Sequence, residues 1–222
     1  MLRGDITGFI LAGGRSRRMG RDKAQLPWGD QTFLSHAINR MEQVCNAVFV
    51  VGETLGATVP ILKDAFAGDG PLAGLHTALV QSKTDWNLVL PVDMPLISPA
   101  LLRFIGFQTD PSSLAVVPRV RIVEQRSGPS SVESPTLQPL CAAYHRGLLP
   151  YVKRALSNRE LSVRRLLEEL SQGIMSGPAN AVQVINEQEL ISAGFFPEML
   201  MNVNTPADLE RAKALAGRFN VE

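Results

Sequence analysis

Short apolar runs alternate with segments of helical spacing along the first half of the chain. In those segments apolar residues recur at every third or fourth position, which predicts helices with one buried face, the first capped by Asp30 or Thr32. Apolar strands that alternate with helices are typical of a mostly parallel sheet covered on both faces. The predicted strands cover residues 6–12, 47–51, 59–62 and 87–92.

The second half of the chain continues this pattern but contains one long polar interruption, Gln125–Pro135. Its serines, prolines and glycine predict a mobile loop. No Pro- or Gly-rich linker divides the chain into two parts that would each have a hydrophobic core, so residues 1–222 are predicted to form a single domain. The predicted architecture is α/β, a Rossmann-like three-layer α/β/α arrangement. Further strands are predicted at residues 113–118, 137–143 and 182–185, and further helices after Ser98-Pro99, at 146–156 and 162–170, and after Thr205-Pro206.

The overall charge narrows the functional classes. The chain has 22 Lys and Arg against 21 Asp and Glu, a formal net charge of +1, so it has no bulk attraction to nucleic acid or to an anionic membrane. Apolar runs stay well short of the roughly 18 residues of a membrane span, and the first residues do not resemble a signal peptide. A cytoplasmic location is therefore expected.

The cysteines and histidines are predicted to be structural. Cys45 and Cys141 lie in apolar segments with no partner at metal-ligand spacing, which predicts buried free thiols. His36, His76 and His145 occur singly on predicted helices or strand ends, so each is expected to be structural or exposed rather than catalytic.

The loop after the first strand concentrates positive charge and glycine. Residues 13–23 contain five Arg or Lys and three Gly, which suits a polyphosphate: glycines let backbone N–H groups approach phosphate, and the cations neutralise it. A solvated basic loop is the alternative. The spacing excludes a Walker loop, because Gly14 is followed by five residues, Gly20 and then Arg21. It also lacks the Gly-x-Gly-x-x-Gly of a dinucleotide site.

Asp93 follows a buried apolar strand, where a carboxylate is costly unless it meets a cation. Mg²⁺ is the natural partner, since it prefers one or two carboxylates together with phosphate oxygens and water. A capping role is the alternative, but Ser98-Pro99 already supplies the cap of the next helix.

The segment from Leu11 to Lys23 resembles the signature of the molybdenum cofactor guanylyltransferase (MobA) family, nucleotidyltransferases with a GT-A-like fold. The shared features are Leu-Ala-Gly-Gly, Arg-Met-Gly and Asp-Lys at these spacings. Leu-Ala-Gly-Gly or Pro-Val-Asp-Met-Pro alone would also fit sugar-phosphate nucleotidyltransferases and cytidylyltransferases. Three later motifs fit the family in order, at residues 64–74, 90–95 and 202–209.

The resemblance implies transfer of GMP from GTP to the phosphate of molybdopterin or Mo-molybdopterin, with release of pyrophosphate and formation of molybdopterin guanine dinucleotide. It implies Mg²⁺ as cofactor, with Asp93 as its ligand, and transient contacts with molybdopterin-synthesis proteins and apo-molybdoenzymes. The implied catalytic residues are Lys23, Arg18 and Asp93. The residues implied to bind the nucleotide and metal are Leu11, Ala12, Gly13, Gly14, Arg15, Lys23, Asp64, Gly70, Asp93 and Asn204.

Two of these positions carry a qualification, and a third position departs from the family. Asp64 corresponds to an aspartate that contacts the nucleotide in the family, although an ordinary turn before a helix would explain it as well. Asn204 lies in a segment that is near the metal and phosphates in the family, and capping by Thr205 alone would not require asparagine there. Glu53 stands where the family often has a nucleotide-binding asparagine, and no role is assigned to it because a carboxylate cannot donate as an amide does.

Two other functions remain open. A cytidylyltransferase that acts on molybdopterin or on a sugar or polyol phosphate would share the first loop and Asp93, but Gly13 in place of a common alanine favours guanine. A cofactor carrier without turnover would not need both Lys23 and Asp93. The loop Gln125–Pro135, with Arg126 and the nearby Arg119 and Arg121, is expected to close over the acceptor, unless it is only a long hairpin.

Overall fold

A computed structural model describes residues 5–13, 22–64, 70–121 and 134–219 of the chain. The strands are β1 (Ile6–Leu11), β2 (Pro27–Trp28), β3 (Gln31–Thr32), β4 (Ala47–Val51), β5 (Ile61–Leu62), β6 (Trp86–Pro91), β7 (Ala115–Val120), β8 (Thr136–Leu137), β9 (Ala142–His145) and β10 (Val182–Asn186). The helices are α1 (Phe33–Glu42), α2 (Gly70–Gln81), α3 (Pro99–Phe107), α4 (Leu149–Ser157), α5 (Val163–Ser171), α6 (Glu187–Ser192) and α7 (Pro206–Phe219).

The main sheet has the strand order β10-β7-β9-β6-β1-β4-β5, with β8 beside β7. β1 runs parallel to β4 and β6, β4 parallel to β5, and β7 parallel to β10. β9 lies antiparallel between β6 and β7, and β8 is antiparallel to β7. The predicted mostly parallel α/β sheet is confirmed, and its antiparallel strands belong to the second half of the chain.

The topology decides which loops meet. Because β9 is antiparallel to both of its neighbours, β7 runs in the same direction as β6. The carboxyl ends of β1, β4, β5, β6, β7 and β10 therefore open on one edge of the sheet. Ligands of open α/β sheets bind at this edge.

Helices cover both faces of the sheet, as predicted. Alternate residues of the strands point to opposite sides, so Ile10 and Leu90 belong to one buried cluster and Phe9 and Val89 to the other. The first cluster includes side chains of α1, α3 and α7, and the second includes side chains of α2, α4 and α5.

Two predicted helix starts are confirmed by their caps. The Thr32 hydroxyl, and not Asp30, accepts a hydrogen bond from the Ser35 N–H at 3.1 Å and caps α1. The Ser98 hydroxyl accepts from the Leu101 N–H at 3.2 Å and caps α3.

The predicted continuous strand at residues 137–143 is wrong. The chain forms β8 and β9 there, with a turn in which the Cys141 N–H donates to the Gln138 carbonyl at 3.2 Å. Pro139 has no N–H to continue a strand ladder, and its carbonyl instead accepts from the Tyr144 hydroxyl at 2.5 Å. Most of the predicted loop Gln125–Pro135 lies outside the described residues.

Both cysteines are free, as predicted. Cys141 is buried and Cys45 is partly buried, and burial raises the pKa of each thiol to about 12. In the ranges that the structure describes, no helix combines the length and the apolar character needed to cross a membrane.

Candidate active site

Lys23 starts a short turn that directly follows the first loop. The Asp22 carboxylate accepts a hydrogen bond from the Ala24 N–H at 3.0 Å and so caps the 3-10 turn Lys23–Gln25. Ala24 is buried in the core, and the Leu26 N–H donates to the Lys23 carbonyl. The backbone of Lys23 is thus fixed on both sides.

Asp93 lies two residues past the end of β6 and is held by two other segments. The Val92 N–H donates to the Leu11 carbonyl at 3.1 Å, so the chain stays bonded to β1 beyond the strand itself. The Asp93 carbonyl accepts from the Val203 N–H at 2.8 Å. This second bond brings the segment before α7 to the carboxyl end of β6.

Lys23, Asp93 and Asn204, three of the predicted site residues, meet at this edge of the sheet; we call them the Lys23 junction. The Lys23 Nζ donates to Asp93 Oδ2 and to Asn204 Oδ1, both at 2.7 Å. Only 16% of the Lys23 side chain and 16% of the Asp93 side chain are exposed. A partly buried ion pair at a strand end, backed by an amide, is an arrangement suited to binding a charged ligand.

Asn204 is oriented by the start of α7. The Asp208 carboxylate accepts from the N–H groups of Asn204 (2.9 Å) and Thr205 (2.8 Å), and the Thr205 hydroxyl accepts from the Asp208 N–H at 3.1 Å. The capping arrangement predicted from the sequence is therefore present. It fixes the backbone of Asn204, whose side chain faces Lys23.

The first loop touches the loop after β4 through backbone atoms. Ala12 is buried, and its N–H donates to the Val51 carbonyl at 3.0 Å. Gly52 has φ +122°, and a Cβ there would lie 2.7 Å from the nitrogen of Gly13, so a side chain is excluded at Gly52.

Leu11 ends β1 and is buried. Gly14 and Arg15, predicted to bind the nucleotide, and Arg18, predicted to be catalytic, lie outside the described residues and stay predictions.

Asp64 and Gly70 flank a gap in the described chain. Asp64 is partly buried, and its carboxylate accepts from the Thr77 hydroxyl of α2 at 3.2 Å. Gly70 is exposed at the start of α2, with φ +74°, a conformation that favours glycine. Asp64 follows β5, so it lies at the same sheet edge as the Lys23 junction.

A cleft of about 490 Å³ lies at the carboxyl ends of β4 and β5. Its volume falls in the range of small-ligand sites. The cleft adjoins Lys23 through Asp22, the preceding residue. Sequence reasoning missed Thr54 and Lys63 here and gave Glu53 no role, although each lies within three residues of the end of a strand. The lining residues are Asp22, Gly52, Glu53, Thr54, Leu55, Ile61 and Lys63.

His36 contacts the turn that carries Asp93. Its Nε2 lies 2.9 Å from the Pro95 carbonyl oxygen, and the side chain is buried. Burial, and to a smaller extent the Arg40 charge, lower the pKa of His36 to about 4, against the opposing effect of the Pro95 bond. His36 is thus neutral at pH 7. Its predicted structural character agrees with this, but the contact to Pro95 had no signal in the sequence.

The oxygens of Asp93 and Asn204 face a common cation, the Lys23 ammonium. Carboxylate and amide oxygens are also ligands of Mg²⁺, which takes one or two protein ligands and completes its shell with phosphates and water. No group of three or more His, Cys, Asp or Glu that could hold a metal forms within the described ranges. The donor set therefore fits a metal ion shared with a nucleotide.

Comparison with known sequences agrees with a nucleotide-binding site at this edge of the sheet. The sequence profile of the MobA-like NTP transferase domain matches residues 8–174. A protein of Pelotomaculum thermopropionicum named probable molybdenum cofactor guanylyltransferase is 32% identical over 214 residues, which cover 95% of this chain and 93% of that protein.

Solved structures share the fold. Molybdopterin-guanine dinucleotide biosynthesis protein A from Archaeoglobus fulgidus superposes with a TM-score of 0.72 at 20% identity, covering 96% of this chain and 99% of that one. The 2-C-methyl-D-erythritol 4-phosphate cytidylyltransferase from Thermus thermophilus gives a TM-score of 0.65 at 18% identity, covering 94% and 98%. The GT-A-like nucleotidyltransferase fold implied by the resemblance is confirmed.

Proposed function

The chain belongs to the family of MobA-like NTP transferases, and we propose that, within this family of nucleotidyltransferases, it transfers GMP from GTP to the phosphate of molybdopterin or Mo-molybdopterin. The products are molybdopterin guanine dinucleotide and pyrophosphate. The observation that carries the proposal is the Lys23 junction, which places a cation, a carboxylate and an amide at the sheet edge where nucleotides bind. The name of the 32% identical relative supports guanine and molybdopterin.

The reaction needs little covalent help from the protein. An oxygen of the acceptor phosphate attacks the α-phosphorus of GTP, and the bond from that phosphorus to the oxygen bridging the α and β phosphates breaks. The acceptor phosphate is already an anion at neutral pH, so no general base is required. Catalysis then consists of alignment and of charge stabilisation around the α-phosphorus and the departing pyrophosphate.

Lys23 supplies positive charge at this point. An ammonium has three N–H donors, and among the described residues Asp93 and Asn204 accept two of them, which leaves a third for a phosphate oxygen. Arg15 and Arg18 of the first loop are expected to hold the β- and γ-phosphates. Asp93 and Asn204 would hold Mg²⁺, which when bound would neutralise phosphate charge during transfer.

The cleft at the carboxyl ends of β4 and β5 suits a guanine base. Its lining includes Glu53, whose carboxylate accepts hydrogen bonds and donates none. The pairing edge of guanine offers two N–H donor groups, whereas that of cytosine offers a single amino group beside two acceptors. A carboxylate at position 53 therefore favours guanine, and it offsets the loss of the family's asparagine there.

The acceptor is expected to bind farther along the same edge. Arg119 belongs to the end of β7 and Arg121 follows it, and β7 runs in the direction of β6. Their guanidinium groups would meet the acceptor phosphate, as the sequence predicts. Arg126 and most of the loop Gln125–Pro135 lie outside the described residues.

Pyrophosphate release in the presence of molybdopterin tests the proposal. We expect release with GTP to exceed that with CTP, ATP or UTP by roughly 10²-fold or more, the discrimination that unpaired polar groups in a built site impose. The dinucleotide should appear by mass spectrometry in equal amount. Faster release with CTP, or with a polyol phosphate in place of molybdopterin, would support the cytidylyltransferase instead.

A further inference from the structure

The turn that carries Asp93 is anchored on three sides. The Val92 N–H bonds to β1 and the Asp93 carbonyl bonds to Val203. The third anchor is His36 of α1, whose Nε2 lies 2.9 Å from the Pro95 carbonyl oxygen. Carbonyl oxygens only accept hydrogen bonds, and the Nε2–Pro95 contact is shorter than the 3.4 Å from the Arg40 Nε to the same nitrogen, so we assign the proton of the neutral ring to Nε2.

The Pro95 carbonyl depends on this donor. Pro95 is buried, and a buried carbonyl that loses its hydrogen-bond partner is destabilising. A residue that kept only the packing of His36 would leave that oxygen without the imidazole donor. The neighbouring backbone bond in the turn, from the Ile97 N–H to the Met94 carbonyl, is long at 3.4 Å and offers weaker support.

His36 also contacts the segment that follows Lys23. Its ring packs edge-on against the indole of Trp28, with ring centroids 6.0 Å apart. Trp28 ends β2, five residues after Lys23, and the Phe33 N–H at the start of α1 bonds to the Leu26 carbonyl at 2.9 Å. One side chain thus touches both the segment that carries the ammonium and the turn that carries the carboxylate.

We infer that His36 is a positioning residue for nucleotidyl transfer: it holds the Asp93 turn against the Lys23 segment, so that the two charged groups face the reacting phosphates in a fixed relation. It touches neither substrate nor metal. The inference rests on the proposed function for its catalytic consequence, but its structural part, a turn that loosens without the imidazole donor, stands independently of which nucleotide reacts.

A matched pair of variants separates the hydrogen bond from the packing. His36→Gln keeps an N–H donor at about the reach of Nε2, whereas His36→Met has a similar shape and no donor. Val152→Ala is the control, because Val152 is buried in the cluster on the opposite face of the sheet and has no part in the site. Urea midpoints of all three variants identify any loss of activity that follows from stability alone.

Hydrogen exchange of the Val203 and Val92 amides is the first measurement. We expect at least about 10-fold faster exchange in His36→Met than in Val152→Ala, when each is compared with its own global stability, and near-native exchange in His36→Gln. Equal exchange in His36→Met and Val152→Ala overturns the inference, whatever the activity.

Steady-state kinetics of GMP transfer is the second measurement. Misplacement of a catalytic group by about 1 Å costs on the order of 10²-fold in rate. We therefore expect kcat to fall by about that factor in His36→Met with little change in the KM for GTP, and to recover most of the way in His36→Gln. Loosened amides in a protein that transfers no GMP would refute the proposed function and leave the positioning role standing. Loosened amides with an unchanged kcat would overturn the catalytic part of the inference.

Discussion

Two polar clusters lie at opposite ends of β6, and they differ in charge and exposure. Near the amino end, Asn87 is fully buried, and its side-chain oxygen accepts hydrogen bonds from the hydroxyls of Ser82 and Thr84. Near the carboxyl end, Asp93 pairs with Lys23, and 16% of each side chain stays exposed. The first cluster is neutral and closed, whereas the second is charged and open to solvent.

The two clusters at the ends of β6 therefore serve different roles, one in stability and the other in ligand binding. In the Asn87 cluster, groups of the protein satisfy one another, and the Asn87 amide also donates to the Tyr144 carbonyl of β9 at 3.2 Å. Such a network stabilises the fold, but its donors and acceptors are used within the protein and not for a ligand. The Lys23 junction keeps an ammonium donor and carboxylate lone pairs for a ligand, so we expect it to contribute more to catalysis than to stability.

Substitution of Asp93 should give the largest effect. In Asp93→Asn, we expect kcat to fall by about 10³-fold or more, because the proposed metal ligand loses its charge and several kcal/mol of charge stabilisation go with it. The free energy of unfolding should fall by a smaller amount, about 1–2 kcal/mol, because the mostly buried Lys23 ammonium loses its counter-charge but keeps an amide acceptor. Turnover assays and urea unfolding measure the two quantities, and near-normal turnover would remove Asp93 from the active site.

Substitution of Lys23 should give the next largest effect. Lys23→Met keeps most of the aliphatic length but removes the ammonium, and loss of one charge-stabilising donor typically costs about 10²–10³-fold in rate. We expect weaker GTP binding together with slower transfer, because the same ammonium serves ground-state phosphates and the leaving group. Calorimetric titration with GTP and single-turnover kinetics test this, and unchanged values in both would identify Lys23 as purely structural.

The closed cluster should show the reverse pattern. Asn87→Leu removes the amide that accepts from the Ser82 and Thr84 hydroxyls and donates to the Tyr144 carbonyl, which we expect to cost about 2–3 kcal/mol of unfolding free energy. The kcat measured well below the melting temperature should stay near the wild-type value. A large loss of kcat in a folded Asn87→Leu protein would mean that the two ends of β6 are coupled.

Acid should lower the free energy of unfolding because His36, which contacts the turn that carries Asp93, takes up a proton when the chain unfolds. Burial lowers the pKa of His36 in the folded protein to about 4 from its ordinary value of 6.5, so the unfolded chain binds the proton more readily between these values. The contribution of His36 to the free energy of unfolding is complete above about pH 6.5. It decreases as the pH falls, by about 2 kcal/mol between pH 7 and pH 5. Urea unfolding of wild type and His36→Gln at both pH values isolates the effect, and parallel pH dependence of the two proteins would contradict it.

Local sequence signals predicted the elements that they control. The Thr32 and Ser98 caps and the apolar runs of β1, β4 and β6 lie where hydrophobic periodicity and capping chemistry place them. The predicted strand across residues 137–143 was wrong because the prediction followed the apolar run and gave too little weight to Pro139, which has no N–H for the ladder. The short β2–β3 hairpin and α6 carried no strong apolar pattern and were missed.

The candidate site was predictable in its members but not in its contacts. Lys23, Asp93 and Asn204 each stand out by motif or by their place at a strand or helix end, and the fold brings them within hydrogen-bonding distance. Distances of this kind depend on long-range packing that no local pattern encodes. The bond from His36 to Pro95 links residues 59 positions apart and lacks any motif, so only the structure could identify it.

The central claim is that Lys23 and Asp93 act as one catalytic unit, and a double-mutant cycle tests it most directly. The measurement is kcat/KM for GMP transfer to molybdopterin in the wild type, Lys23→Met, Asp93→Asn and the double variant. We predict that the double variant falls within about 10-fold of Asp93→Asn alone, because groups that act as a unit are strongly non-additive. Losses that multiply to the full product of the two single effects would contradict the claim.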